Sequence, residues 1–160
     1  MATQNIVQYL ETSQYFADQR DGSTTSIGPE AMNRRQIETF IAGGVIAAND
    51  LVALDFSATG DGTIGITVVK ANSGSADSVA GLGFALSSAA AAGETVDVTI
   101  AGIHVSANVK AGIVKGDRLS ISTVAGQADA YVNADTVPVL AYALEDEDAG
   151  VASVFVIKQM

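Results

Sequence analysis

The chain has 160 residues, a net charge of −10 from 18 acids against 8 bases, one histidine, and neither cysteine nor tryptophan. That balance disfavours nucleic-acid binding, which needs clustered Lys and Arg to neutralise phosphate; Arg34-Arg35 is the one adjacent basic pair in the sequence. Zero cysteine excludes a disulfide framework and thiol catalysis.

One domain with a sizeable core is the expectation at this length. Only 16% of residues are charged although 48% are hydrophobic, against ~25% charged in ordinary domains. Part of the surface must then be Ser, Thr, Gly and Ala, or be covered by another chain. Both fit a protein that works inside an assembly. Residues 1–10 hold no apolar core of a signal peptide, and Val79 to Ala92 is too short and too broken by Gly and Ser to cross a bilayer. A soluble protein with no membrane partner is expected.

Residues 1–34 differ from the rest of the chain. They carry Gln4, Gln8, Gln14 and Gln19, the aromatics Tyr9, Tyr15 and Phe16, and the turn-rich run Asp21 to Ser26, with no sustained period of 3.6 or 2. This is the pattern of an extended arm rather than a domain. Pro29-Glu30 allows a short helix start. Such segments order on binding, and aromatics are the usual anchors of interfaces. Tyr9, Tyr15 and Phe16, with Arg20, Arg34 and Arg35 as charge partners, are the expected partner-binding residues.

Residues 35–160 read as a small β-barrel or β-sandwich body, so the chain is all-β with an N-terminal arm. Gln36 to Ile41 is a strand in preference to a helix, because Gly43-Gly44 follows at once. Asp50 to Ser57 and Ile64 to Ala71 flank Ala58 to Gly62, a hairpin signature. Val79 to Leu86 is the next strand; the alanines of Ser87 to Gly93 allow a loop or one helical turn. Glu94 to Ala101 alternates cleanly, with Val96, Val98 and Ile100 on one face and Asp97 and Thr99 on the other. Gly102 marks a bulge or bend before Ile103 to Val109. Beyond the tight turn Lys115-Gly116-Asp117 come strands at Arg118 to Thr123, Ala128 to Val132 and Val137 to Leu144. The acidic run Glu145 to Asp148 leads into the last, Val151 to Lys158. About nine or ten short strands argue for a barrel or sandwich.

No motif supplies chemistry. Gly60 to Gly65 spells G-x-G-x-x-G, but a strand follows where a dinucleotide site needs a helix, so a hairpin turn is the expectation. Glu145 to Asp148 points consecutive acids in different directions, which suits a solvated turn better than a calcium loop. His104 has no second His or Cys to share a zinc and is expected to be an ordinary strand or interface residue. Lys115-Gly116-Asp117 is ordinary turn chemistry rather than an adhesion signal. No catalytic residue, metal ligand or cofactor is expected.

The run Ala92 to Val98, then Gly102, then Ala111 to Leu119 resembles the small capsid decoration, or cement, proteins of bacteriophages. So do Gly126-Gln127-Ala128, Val137 to Leu144, Gly150 and Val154 to Ile157, and upstream Ile37 to Gly43 and Asp50 to Asp55. The resemblance covers about three-quarters of the chain, rests on strand and turn patterns, and does not extend to the arm. It implies a compact β domain, often trimeric, on the outside of a phage head, bridging major capsid proteins without catalysis. The expected function is therefore a structural virion protein that binds the capsid exterior, with the major capsid protein and further copies of itself, as a trimer, for partners. The rivals are a tail or fibre module binding a host-surface glycan and a β-barrel enzyme. The first would need an exposed aromatic platform, whereas Phe40, Phe56, Phe84, Tyr131, Tyr142 and Phe155 mostly occupy positions expected to be core.

Overall fold

The computed structural model describes residues 35–60, 63–132 and 138–157. Among these residues the short apolar runs become nine strands: β1 Gln36–Ala42, β2 Leu51–Leu54, β3 Thr67–Lys70, β4 Gly81–Ala85, β5 Thr95–Asn108, β6 Arg118–Ile121, β7 Ala128–Ala130, β8 Ala141–Ala143 and β9 Val151–Val156. The helical content of the described residues is one 3₁₀ turn, Ala76–Ser78. The expected all-β class is the class observed. Residues 87–93 are loop, tied by the bridge Ile46↔Ala89.

β5 organises the molecule. The sequence suggests two strands separated by Gly102; the chain instead runs through as one strand of 14 residues. The irregularity is absorbed at Gly102, whose φ of +92° costs a glycine little, and at Ser106, with φ +61°. The first half of β5 pairs with β1 on one side and β4 on the other. Together with β3 and β2 this closes a ring, β1-β3-β2-β4-β5, in which β1 and β3 are parallel and the remaining pairs antiparallel. Its interior holds Phe40, Ala42, Val52, Val68, Ala85, Val96, Val98 and Ile100, all buried. The expected face Val96/Val98/Ile100 is thus the lining of this five-stranded barrel.

The second half of β5 pairs with β9 and starts another sheet, β5-β9-β8-β6-β7. The sheet curls until Val109, the residue after β5, bridges Ala128 of β7, where Lys110 N–H donates to the Ala128 carbonyl at 2.8 Å. Its core contains Leu119, Ile121, Leu140, Ala141, Ala143, Val154 and Val156, and is completed by Leu51, Ala53 and Phe84 from the outer face of the first barrel. Strand β2 consequently points Val52 into one core and Leu51 and Ala53 into the other, and all three are fully buried. That double burial explains why β2 reads as a continuous apolar run instead of alternating. A Cβ built on Gly83 would overlap the Thr99 carbonyl, so close approach of β4 to β5 requires glycine there.

The hairpin expected across Gly60 forms, since β2 and β3 pair antiparallel. Its second strand begins at Thr67, and residues 63–66 are turn that leaves Ile64 exposed.

Candidate interaction face

On the outer side of the second sheet, register sets one residue from each of four strands in a row. Ile103 of β5 opposes Phe155 of β9, Phe155 opposes Tyr142 of β8, and Tyr142 opposes Arg118 of β6. Directly opposed residues of an antiparallel ladder project to the same face, and the alternating neighbours His104, Val154, Ala143 and Leu119 are buried inside. The row continues to Tyr131, just past β7. The Tyr131 N–H donates to the Arg118 carbonyl at 2.7 Å, and the Arg118 guanidinium lies 5.0 Å from the Tyr131 ring centroid. A cation over an exposed aromatic face contributes ~0.5–1 kcal/mol and orders both side chains.

This row overturns the expectation that the body's aromatics are mostly core. Phe40 and Phe84 are buried, Tyr131 is half-buried, but Phe155 is 45% exposed, Tyr142 42% and Phe56 59%. The reason is the two-barrel arrangement. Small residues, chiefly alanine and valine, fill the narrow interiors, and the rings of β8 and β9 are left outside. Val105, Leu144 and Val151 are exposed as well. Alternation in sequence fixes which residues share a face; it does not say which face turns inward when both carry apolar side chains.

The seam between the barrels is polar but closed. His104 is fully buried, stacked on Phe84 with ring centroids 5.4 Å apart. Its Nδ1 lies 3.1 Å from Thr99 Oγ1 and its Nε2 3.1 Å from Asn49 Oδ1. Burial, joined by the nearby Arg35 charge, pushes its pKa from 6.5 down to about 4. Beside it Asp50 is buried, accepting from Ala47 N–H at 2.9 Å and Asn108 Nδ2 at 3.1 Å, with Lys70 Nζ 2.9 Å away. Both groups are committed to joining β2, β3 and β5, the ordinary structural role expected of His104.

The acidic run is the exposed hairpin connection between β8 and β9 expected of it, and its carboxylates also bind backbone. Glu145 accepts from Ser153 N–H at 2.7 Å and Asp146 from Lys115 N–H at 2.8 Å; Glu147 accepts from the N–H groups of Gly112 and Gly150. The Ser153 hydroxyl, with the Ser153 N–H, holds the Glu145 carboxyl below the usual carboxylate range, and the N–H groups of Gly150 and Gly112 do the same for Glu147. Although exposed, the run clamps the loop at Gly112–Lys115 onto the β8–β9 connection. Lys115-Gly116-Asp117 is the expected tight turn, with Gly116 at φ +92°. Among the described residues no group of three or more His, Cys, Asp or Glu is placed to hold a metal, and no helix is long and apolar enough to cross a membrane.

Of the expected partner-binding residues, Tyr9, Tyr15, Phe16, Arg20 and Arg34 lie outside the described residues. Arg35 is half-buried at the start of the body, close enough to His104 to act on its titration. Sequence reasoning missed Ile103, Tyr142, Phe155 and Arg118. The available signal was the matched spacing of aromatic and apolar residues in the last strands.

No protein-family model and no curated protein matches the sequence. Among solved structures, the chain is similar in fold to the N-terminal base of head fibre gp8.5 of bacteriophage phi29. The TM-score is 0.50 and the identity 21%, over 77% of this chain and 94% of that one.

Proposed function

We propose that this chain is a non-catalytic structural protein of a bacteriophage virion, seated on the outside of the head and bridging major capsid proteins. The observation that carries the reading is its fold, which matches 94% of a module whose own role is the base of a phage head fibre. The resemblance of its strand and turn runs to capsid decoration proteins supports the same place. So does the use of its buried polar groups, His104 and Asp50, in joining strands. The cement role follows physically: a shell under internal pressure gains from extra area buried at its seams, and stable contacts bury ~1,200–2,000 Å². A trimer would multiply that attachment, and the arm of residues 1–34 would strap onto a neighbouring subunit through Tyr9, Tyr15 and Phe16. Neither nucleic acid nor a membrane is a partner in this reading, and no cofactor is needed. Particles assembled with and without the chain test it: those lacking it should rupture at lower temperature, and equal rupture temperatures would count against the cement role.

A second reading is favoured by one observation. The exposed pair Tyr142 and Phe155 is the aromatic platform that a glycan-binding fibre module requires. Binding of the isolated protein to host-surface glycans, lost on Tyr142→Ala, would support it.

A further inference from the structure

The row Ile103–Phe155–Tyr142–Arg118–Tyr131 is an apolar sheet face with no covering element among the described residues. We propose that this face is the docking surface for residues 1–34 of this protein, with Tyr9, Tyr15 and Phe16 seated along it. The proposal deepens the reading of that segment as a strap by naming what it binds.

Three observations select this occupant. The first is where the segment joins the body. Gln36 pairs with Ala101, Val156 with the next residue of β5, Gly102, and Phe155 with the one after, Ile103. Residues 1–34 therefore leave the body beside Ala101, two residues from Ile103 at the β5 end of the row.

The second is reach. Extended chain spans ~3.3–3.6 Å per residue, so the 20 residues from Tyr15 to Arg35 cover up to roughly 70 Å. A row across five strands is only ~19 Å wide at ~4.8 Å per strand. The segment can lie along the face of its own copy by folding back, or along a neighbour's by staying extended.

The third is chemistry. In a chain of net charge −10, the row contains one cation and no carboxylate. Two acids that border it are already engaged: Glu145 accepts from Ser153 N–H, and Asp129 pairs with Lys110 at 2.6 Å. Residues 1–34 bring three aromatics with only four acids and two bases. Aromatic on aromatic across a sheet face is favourable, at ~0.5–1.5 kcal/mol per pair beyond area burial.

The test uses the full chain in the absence of particles. A photo-reactive p-benzoyl-phenylalanine is placed at Phe16, and its cross-links are mapped by mass spectrometry. Cross-links to residues 103–105, 142–144 or 151–157, within one copy or between copies, support the proposal. Cross-links confined to the β1–β3 side of the body, or formed only when capsid protein is added, overturn it and assign the row to another partner. A second measurement reads the same contact without the probe. In the double variant Tyr142→Ser, Phe155→Ser, tryptic cleavage after Arg20 should accelerate about tenfold, the equivalent of ~1.4 kcal/mol of lost docking, with the melting temperature of the body retained. Unchanged cleavage in a folded variant would defeat the proposal. Because both measurements use isolated protein, they can fail while the virion reading stands, and the virion reading can fail while they succeed.

Discussion

The Nε2 of His104 lies 3.1 Å from Oδ1 of Asn49, and the two residues stitch the long strand β5 to the approach of β2. An amide oxygen only accepts, so Nε2 carries the proton and Nδ1 accepts from the Thr99 hydroxyl. Asn49 sits at φ +72°, a region asparagine tolerates better than most residues. Protonation would leave the Asn49 contact in place and turn Nδ1 into a donor to the Thr99 oxygen, so it is burial that holds the imidazole neutral.

Acid should weaken the fold through His104. Its folded pKa is lowered to about 4 from 6.5, so the unfolded chain takes up the proton first as pH falls. Stability is untouched above pH 6.5, declines between 6.5 and 4, and the loss is complete below 4. One pKa unit corresponds to ~1.4 kcal/mol, which makes the full loss roughly 3 kcal/mol. Denaturant midpoints measured from about pH 7 to about pH 4 should show this slope, and His104→Gln should flatten it. An equal slope in the variant would place the acid sensitivity elsewhere.

Glu147 contributes in the same direction over a lower window. Its folded pKa is depressed by the N–H groups of Gly150 and Gly112, so its contribution is present above about pH 4.5 and fades as pH falls through the folded value. At neutral pH, Glu147→Ala should lower the melting temperature and speed hydrogen exchange at the Gly112 and Gly150 amides, while calcium or a chelator changes neither. A calcium-dependent melting temperature in the unaltered protein would revive the metal reading of this run.

Val98→Asp should destabilise the body by several kcal/mol, because Val98 is fully buried in the first barrel and an aspartate there finds no partner. Thermal melting checks it; an unchanged transition would mean that this face is not core.

Gly83→Ala should be more damaging than Gly81→Ala. A methyl group at Gly83 meets backbone, the Thr99 carbonyl, whereas at Gly81 it meets the ends of the Leu140 and Ile121 side chains, which can move. Comparison of soluble yield and melting temperature for the two variants decides this, and equal behaviour would contradict the close approach of β4 to β5.

Much of the strand inventory is legible in the sequence because period-2 alternation and glycine turns are local. Val96/Val98/Ile100 and Leu119/Ile121 point inward as the alternation suggests. Less legible are features set by long-range closure. Gly102 reads as a bulge or bend between two strands, yet β5 passes through it as one strand, its first half paired with β1 and its second with β9. Phe155 and Tyr142 read as core because aromatic residues in strands usually are. Only the pairing of β5, β9, β8 and β6 shows them side by side on the outer face. The clamp formed by Glu145 to Glu147 is hidden for the same reason, since its partners Gly112 and Lys115 lie more than 30 residues away.

The most direct test of the central claim is a cryo-EM reconstruction of the virion that carries this chain. The account expects double-barrel density of this shape on the outer surface of the head, contacting more than one major capsid subunit, with three copies around a symmetry axis. A head surface without that density, or the same density found only at the tip of the tail, would contradict it.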